Sequence, residues 1–334
     1  MNVLSKHVVQ GLAIASLSMA LPAFAADKPN KQMQEVYDAM KAKGGKPIET
    51  LDAKEARLQP SPADAVATMM AAKNIKVDKS KVVAEDIMID GAAGKIAARV
   101  YKPAMRKANL PLIVYYHGGG FVIATNDTYD ASARALSEQT EAVVLSVEYR
   151  KAPENKFPAA HDDAFAAYQW GLKNATSLGA DASRVAVAGE SAGANLALNT
   201  AIKARDMKVQ LPVHELLVYP VAGNDMNTQS YKDNADAKPL NKPMMAWFVK
   251  NYTRTPADAK DSRINLMEAN FKGLNPATII TAQIDPLRSE GKGLSEKMGA
   301  QGVKVNYKNY EGVSHEFFGM AAVLDEAKSA QKLG

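Results

Sequence analysis

The chain has 334 residues with a formal net charge of +5, and 47% of the residues are hydrophobic. This length and composition are typical of a globular protein with one large domain or two small ones, and the scattered basic residues argue against a nucleic-acid partner. Because the sequence contains no cysteine, disulfides, thiolate metal sites and cysteine nucleophiles are excluded.

The first 25 residues have the features of a signal peptide. Lys6 provides a positive charge, and residues 11–25 form an uncharged, mostly apolar run that ends in the tripeptide AFA. This ending fits the small-x-small cleavage rule, and the run is short for a membrane span. We therefore expect cleavage after Ala25, export to the periplasm or the medium, and no stable membrane insertion afterwards. An uncleaved N-terminal membrane anchor is the alternative.

Two helices are predicted ahead of the first strand. The first covers residues 31–43 and is stopped by Gly44-Gly45. The second covers residues 61–74, with Ser61 as a candidate N-cap and Pro62 at the first helical position.

From about residue 82 onward, short β-rich runs alternate with helical stretches. Strands are predicted at 82–90, 95–102, 111–117, 142–149, 184–189, 215–220, 277–284 and 303–310, and helices near 130–140, 162–175, 192–205 and 287–300. This alternation indicates an α/β fold with a mostly parallel sheet of about eight strands, covered by helices on both faces. The first two strands are close together and are predicted to form an antiparallel edge pair.

Residues 222–265 interrupt the alternation. A long insertion after a strand can form a lid over the carboxyl edge of a parallel sheet, where α/β proteins bind ligands. The insertion contains Met244, Met245, Trp247 and Phe248. We interpret this cluster as helix core, with neighbouring residues that face a pocket.

The pentapeptide GESAG at 189–193 matches G-x-S-x-G. A β-rich run precedes it and an Ala- and Leu-rich helical stretch follows, which is the context of a nucleophile elbow. Ser191 is therefore the candidate nucleophile, and the amide of Ala192 would face developing negative charge. A glycine-rich turn is the alternative for the pentapeptide taken alone.

A serine nucleophile needs a base and an orienting acid. His315 follows the last predicted strand, at the same sheet edge as Ser191, and Asp285 is the first residue after the strand 277–284. The order Ser191, Asp285, His315 is that of an α/β-hydrolase triad, although Asp285 also suits a helix N-cap. We interpret His161 as surface or structural, and His214 as lying at the opposite sheet edge.

A glycine-rich loop follows the predicted strand 111–117. Because glycines lose much conformational entropy on folding, Gly118, Gly119 and Gly120 indicate that backbone amides approach a substrate as oxyanion donors. A flexible loop is the alternative. We expect His117 to brace this loop rather than transfer protons, and Glu190 to brace the elbow.

Together these motifs resemble the bacterial hormone-sensitive-lipase-like esterases, a branch of the α/β-hydrolase superfamily. The resemblance covers roughly residues 60–325. It is carried by HGGGF at 117–121, VEYRKAPENKFPAA at 147–160, GESAG at 189–193, ITAQIDPLRSEG at 280–291 and YEGVSHEFF at 310–318.

The resemblance implies an α/β-hydrolase core at 81–221 and 266–334, with a helical cap built from N-terminal cap helices at 26–80 and a cap insertion at 222–265. It also implies that Gly119, Gly120 and Ala192 supply the oxyanion amides, with Gly118 close by. Ser191 would attack the ester, His315 would act as base and then acid, and Asp285 would hold the imidazole. No metal or cofactor is implied, and pairing into a homodimer through sheet edges is a further expectation.

Four residues depart from the family pattern: Glu148, Ala194, Ser289 and Glu316. Glu148 replaces a usual aspartate, Ala194 a common glycine and Ser289 a usual aspartate. Glu316 replaces the glycine that follows the catalytic histidine, and it puts a carboxylate beside the base, where it could alter substrate preference or the base's pKa.

The resulting hypothesis is an exported serine carboxylesterase that hydrolyses short- to medium-chain acyl esters, a class of small-molecule substrate. A polysaccharide deacetylase, a lipase and an amidase on the same scaffold are the alternatives. A ligand-binding homologue without catalysis is disfavoured, because all three triad residues are present.

Overall fold

The computed structural model describes residues 28–105 and 108–334. The predicted signal peptide, residues 1–25, lies outside the described residues. In the two described ranges, no helix combines the length and the hydropathy needed to cross a bilayer.

The described part of the chain begins with three helices, α1 (Lys31–Lys43), α2 (Ala53–Ala56) and α3 (Pro62–Ala72). Asn30 caps α1 by accepting a hydrogen bond from the Met33 amide at 2.8 Å, and Gly44 ends the helix in the left-handed conformation with φ 71°. Ser61 and Asp64 form a reciprocal capping box at the start of α3. The sequence therefore predicted both longer helices correctly, apart from two residues at the end of α3.

Eight strands form one sheet: β1 (Val82–Gly91), β2 (Gly94–Pro103), β3 (Leu110–Tyr116), β4 (Val143–Val147), β5 (Ala180–Glu190), β6 (Glu215–Val218), β7 (Ala277–Ile284) and β8 (Val305–Ser314). Their order across the sheet is β1-β2-β4-β3-β5-β6-β7-β8. The β1–β2 and β2–β4 pairs are antiparallel, and all the other pairs are parallel. This confirms the predicted sheet and its antiparallel edge pair.

The burial of the strands follows their position. The inner strands β3 and β7 are buried on both faces, which explains their largely apolar sequences. The edge strand β1 has far more exposed and half-buried positions. Because β3 and β5 to β8 run in the same direction, their carboxyl ends all lie at one edge of the sheet.

Seven more helices follow α3: α4 (Asp130–Thr140), α5 (Ala159–Asn174), α6 (Ala192–Asp206), α7 (Gln229–Asp233), α8 (Lys242–Tyr252), α9 (Arg288–Ala300) and α10 (Asp325–Leu333). The helices α5, α6 and α9 pack into one buried cluster, which includes Phe165 and Leu196. The helices α1, α4 and α10 pack into a second cluster, which includes Met33 and Leu136. The sheet is thus covered on both faces, as predicted, although the sequence pattern did not indicate α10.

Several strand ends differ from the prediction by one or more residues, and two of these differences affect residues close to Ser191 and His315. β6 ends at Val218, two residues earlier than predicted, because Tyr219 turns to a φ of 36° and Pro220 has no amide hydrogen to donate. β8 continues to Ser314, four residues later than predicted. His315 is therefore the first residue after its strand.

The insertion at 222–265 contains α7 and α8. In α8, Met245, Trp247 and Phe248 are buried, which agrees with the interpretation of this cluster as helix core. The Trp247 indole donates a hydrogen bond to the Leu51 carbonyl at 2.9 Å. This bond joins the insertion directly to the N-terminal helical region.

Candidate active site

Ser191 lies at a sharp turn between β5 and α6. Its φ of 57° and ψ of −119° are an unusual backbone conformation for a residue other than glycine. A Cβ atom added at Gly189 would lie 2.2 Å from the Gly193 carbonyl oxygen, and one added at Gly193 would lie 1.9 Å from the Tyr116 carbonyl oxygen. The two glycines are therefore required by the close approach of backbone on each side of the serine.

Three predicted site residues meet at the carboxyl edge of the sheet. His315 Nε2 lies 2.9 Å from Ser191 Oγ, and His315 Nδ1 lies 2.7 Å from Asp285 Oδ2. Ser191 is 5% exposed, His315 3% and Asp285 0%. The side chains follow β5, β8 and β7, so the parallel strands bring together residues that are far apart in the chain.

Asp285 is not the N-cap of α9, because the cap position of that helix is Leu287, but both oxygens of Asp285 have partners. Its Oδ1 accepts a hydrogen bond from the Leu287 amide at 2.8 Å, while its Oδ2 faces His315. With both oxygens engaged, the carboxylate is fixed relative to the imidazole, and Nδ1 is the ring nitrogen that carries a proton.

Burial and charge act in opposite directions on His315. Burial, the largest single effect, lowers the pKa of His315, whereas the charge and hydrogen bond of Asp285 raise it, together with smaller contributions from Glu316 and Glu190. The net result is a pKa above the ordinary histidine value. A protonated imidazole is thus stabilised in this site, as a base that accepts a proton requires.

The glycine-rich loop packs against the site. Gly119 and Gly120 have φ angles of 96° and 59°, and a Cβ atom added at Gly120 would lie 2.2 Å from the Phe248 ring. Among the described residues, no protein group accepts a hydrogen bond from the amides of Gly119, Gly120 or Ala192. Three donors beside Ser191 are therefore available to a ligand oxygen.

His117 is held inside this loop. Its Nδ1 lies 2.8 Å from the Gly118 carbonyl oxygen, and its ring stacks on Tyr149 at 4.5 Å. The Tyr149 hydroxyl donates a hydrogen bond to the His117 carbonyl at 2.8 Å. These contacts lie within the loop and its support, which favours a bracing role for His117.

Glu190 is buried beside Ser191 and accepts hydrogen bonds from two tyrosines. The Tyr115 hydroxyl donates at 2.5 Å, and the Tyr219 hydroxyl donates to the other oxygen. Burial, together with the charge of Glu316, raises the pKa of Glu190 to about 7. The side chain points into this tyrosine pair, which fits the predicted bracing of the elbow.

Several residues beside the triad were not indicated by the sequence pattern. The Tyr129 hydroxyl donates a hydrogen bond to the Glu316 carboxylate, at 2.6 and 2.8 Å from its two oxygens. The Tyr219 ring lies 4.4 Å from the His315 ring. Tyr219 follows β6 at the same sheet edge, so its position after a strand was a usable signal, whereas Tyr129 precedes α4 and carried none.

Glu290 binds the backbone at the start of the 222–265 insertion. The sequence pattern did not indicate this role. Its carboxylate accepts hydrogen bonds from the amides of Ala222 and Gly223 at 3.0 and 2.8 Å. Burial raises the pKa of Glu290 to about 7. This contact fixes the backbone at the point where the insertion leaves the sheet.

Of the histidines in the described part of the chain, the two not yet placed, His161 and His214, lie away from the triad. Of the two interpretations of His161, the surface one is wrong and the structural one agrees with its position, because His161 is buried between Tyr252, 2.7 Å from Nδ1, and Asn195, 2.9 Å from Nε2. Burial lowers its pKa to about 4, so His161 is a neutral structural residue. His214 directly precedes β6, and its Nε2 lies 3.0 Å from the hydroxyl of Thr278, the second residue of β7, at the predicted opposite edge.

A cavity of about 740 Å³ opens above the triad. Ser191, His315 and Glu316 form part of its floor, and Phe248 lines its wall. Further lining residues come from the N-terminal helical region and the insertion: Tyr37, Met40, Ile48, Leu240, Met244 and Met245. The arrangement places the candidate nucleophile Ser191, the candidate base His315 and the three unoccupied amides beside a largely apolar cavity.

Metal-ligating side chains do not cluster in the described part of the chain. In residues 28–105 and 108–334, no group of three or more His, Cys, Asp or Glu side chains has an arrangement suited to a metal ion.

Comparisons with known proteins agree with this geometry. A family model described as alpha/beta hydrolase fold matches residues 113–319. The chain is 40% identical over 243 residues to the carboxylesterase NlhH of Mycobacterium tuberculosis, which covers 72% of this chain and 76% of that protein. It is 30% identical over 285 residues to an ethyl acetate hydrolase of Pseudomonas putida, and the match covers 84% of this chain and 88% of that protein.

A solved structure has a fold similar to that of this chain over most of its length. The hyperthermophilic esterase of Pyrobaculum calidifontis superposes with a TM-score of 0.83 at 35% identity, which covers 92% of this chain and 96% of that one. The family match, the curated relatives and the shared fold lead to one conclusion: the chain belongs to the hormone-sensitive-lipase-like esterases of the α/β-hydrolase superfamily and is a carboxylic ester hydrolase.

Proposed function

We propose that the protein is a serine carboxylesterase that works through an acyl-enzyme on Ser191. The observation that carries this proposal is the continuous hydrogen-bonded line from Ser191 Oγ through His315 to Asp285, with distances of 2.9 and 2.7 Å. A hydroxyl is a weak nucleophile, and such a line lets it lose its proton as it attacks. Replacement of Ser191 and labelling with an organophosphonate test this assignment.

The proposed reaction has two halves. Ser191 Oγ forms a bond to the ester carbonyl carbon while its proton moves to His315 Nε2. The bond to the alcohol oxygen then breaks, and His315 returns the proton to that oxygen. In the second half, water attacks the acyl carbon and gives a proton to His315, the acid leaves, and Ser191 regains the proton.

The negative charge of each tetrahedral intermediate falls on the former carbonyl oxygen. The amides of Gly119, Gly120 and Ala192 are the proposed donors to it, since no described protein group occupies them. The loss of one such donor typically lowers the rate about 10²- to 10³-fold. His117 and Glu190 hold the two segments that present these amides.

Residues 26–80 and 222–265 are proposed to form the cap through which substrate enters. Both segments line the cavity above Ser191, and the Trp247 indole joins them through the Leu51 carbonyl. The core is then 81–221 with 266–334. Pairing of two copies into a homodimer stays a prediction.

Short- to medium-chain acyl esters are the proposed substrates. The similarity to an ethyl acetate hydrolase and the apolar lining of the cavity support this class. In a series of p-nitrophenyl esters from acetate to palmitate, we expect kcat/KM to peak at eight acyl carbons or fewer. A maximum at palmitate would instead indicate a lipase, and preferential release of acetate from acetylated xylan would indicate a deacetylase.

Export is the remaining part of the proposal, and residues 1–25 support it with an apolar run that ends in AFA. When the full chain is expressed in a Gram-negative host, we expect the protein to be recovered from the periplasm or the medium with Ala26 as its first residue. Intact-mass measurement checks the cleavage. A full-length chain that stays in the cytoplasm would contradict it.

A further inference from the structure

We propose that Glu316 is a positioning residue that stabilises protonated His315 from the side of the ring facing Ser191. Glu316 Oε1 lies 3.9 Å from His315 Nε2, whereas Asp285 contacts Nδ1 on the other side of the ring. The imidazole is thus placed between two carboxylates. This role of Glu316 rests on the proposed role of His315 as the base.

The position of the Glu316 carboxylate is set by its neighbours. Tyr129, which is 4% exposed, donates its hydroxyl hydrogen between the two carboxylate oxygens. The Glu316 backbone has a φ of 70°, in the left-handed region just after the end of β8. The carboxylate therefore lines the cavity floor next to the reacting atoms.

The chemistry of the reaction gives this position its effect. When Ser191 attacks, its proton moves to Nε2 and the imidazole becomes a cation. Two opposite unit charges about 4 Å apart attract each other even in bulk water, and more strongly in a partly buried site. A carboxylate at 3.9 Å from Nε2 thus favours the protonated imidazole, and so raises the pH at which His315 becomes a free base.

Other ionisable groups lie close to the Glu316 carboxylate and the His315 ring. Burial raises the pKa of Glu316, and the adjacent His315 and the Tyr129 hydroxyl oppose that effect, with smaller influences from Asp285 and His117.

Glu190, at the end of β5, also contributes to the field at His315, but its oxygens are held by Tyr115 and Tyr219. Glu316 is therefore the carboxylate whose removal changes the Nε2 side most directly.

The test is the pH dependence of kcat/KM for p-nitrophenyl acetate in the parent and in Glu316→Gln. Glutamine has nearly the same size and shape as glutamate, and its amide oxygen can still accept a hydrogen bond from the Tyr129 hydroxyl. We expect the acidic limb of the profile, which reports protonation of the free base, to move to lower pH by about 0.5 to 1. On the plateau, kcat should fall about 3- to 10-fold.

Three further variants make the result specific. Glu316→Asp keeps a carboxylate and should keep most of the parent's acidic limb, whereas Glu316→Gly, which suits the positive φ, should shift it as glutamine does. Glu311→Gln removes an exposed carboxylate on β8 and should leave the profile unchanged. If glutamine prevented folding, as judged by circular dichroism, the glycine variant would carry the comparison.

The outcomes separate the two proposals. A lower kcat with an unmoved acidic limb in folded Glu316→Gln and Glu316→Gly would overturn the role of Glu316 and leave the esterase mechanism intact. An equal shift in Glu311→Gln would also overturn it, because a general surface-charge effect would then suffice. Full turnover in Ser191→Ala would instead refute the proposed function itself.

Discussion

Ser191→Ala should lower kcat for p-nitrophenyl acetate by about four to six orders of magnitude. The variant lacks the atom that forms the acyl bond, whereas the oxyanion donors and the cavity remain, so only their small residual rate enhancement is left. The fold should persist, since alanine tolerates the φ of 57° as well as serine does. Steady-state kinetics and a thermal melt measure the two effects.

A covalent label adds a readout that does not depend on turnover. An organophosphonate should add one adduct to the parent, located on Ser191 by peptide mapping, and none to Ser191→Ala. Ser177→Ala is the matched control, because Ser177 is exposed and its hydroxyl donates a hydrogen bond to the nearby Asn174 carbonyl, away from the triad. Wild-type turnover in Ser191→Ala, or an adduct on another serine, would exclude Ser191 as the nucleophile.

Glu215→Gln should change the pH dependence of stability. Glu215 opens β6, is 0% exposed, and no described residue makes a hydrogen bond to either carboxyl oxygen. Burial without a partner disfavours the charged form and raises the pKa of Glu215 to about 9. In the unfolded chain the same carboxyl ionises near its ordinary value of 4.5.

The sign of the effect follows from proton binding. Between about pH 4.5 and 9, the folded protein holds a proton on Glu215 that the unfolded chain has lost, so the parent loses unfolding free energy as the pH rises. Glutamine has no proton to lose. The difference in unfolding free energy between Glu215→Gln and the parent should therefore shift in favour of the variant by about 1.4 kcal/mol per pH unit across this window.

Urea denaturation at several values between pH 5 and 8.5 measures this slope. A buried amide without partners adds a constant cost of about 1–3 kcal/mol, so the variant starts less stable at low pH and overtakes the parent as the pH rises. Glu85→Gln, an exposed carboxyl on β1, is the control and should show almost no slope. A pH-independent difference for Glu215→Gln would mean that the carboxyl ionises normally in the folded protein.

The buried Glu215 carboxyl and the three triad side chains lie at opposite edges of the same sheet. Glu215 lies at the amino ends of the parallel strands, and Ser191, Asp285 and His315 lie at the carboxyl ends. In the second set each polar atom has a partner, and the site opens into a cavity, whereas Glu215 is enclosed without a partner. Burial therefore produces a hydrogen-bonded reactive group at one edge and a protonated carboxyl at the other.

The sequence by itself determined the fold class and the positions of the three triad residues. Alternating strands and helices require a parallel sheet with helices on both faces. Each of Ser191, Asp285 and His315 directly follows a β-rich run or its continuation, so their shared edge follows from strand direction alone. The glycines of GESAG are also a local signal, because nearby backbone at this strand-to-helix turn leaves no room for a Cβ atom at positions 189 and 193.

Only the tertiary structure decided what surrounds those residues. The Tyr129 hydroxyl meets Glu316 across 187 positions of sequence, and Tyr115 meets Glu190 across 75. His161 is buried rather than exposed because Tyr252, from a helix 91 residues later, covers it. Such contacts depend on which side chains fill the space between packed elements, and that depends on register and rotation, which strand and helix periodicity leave open.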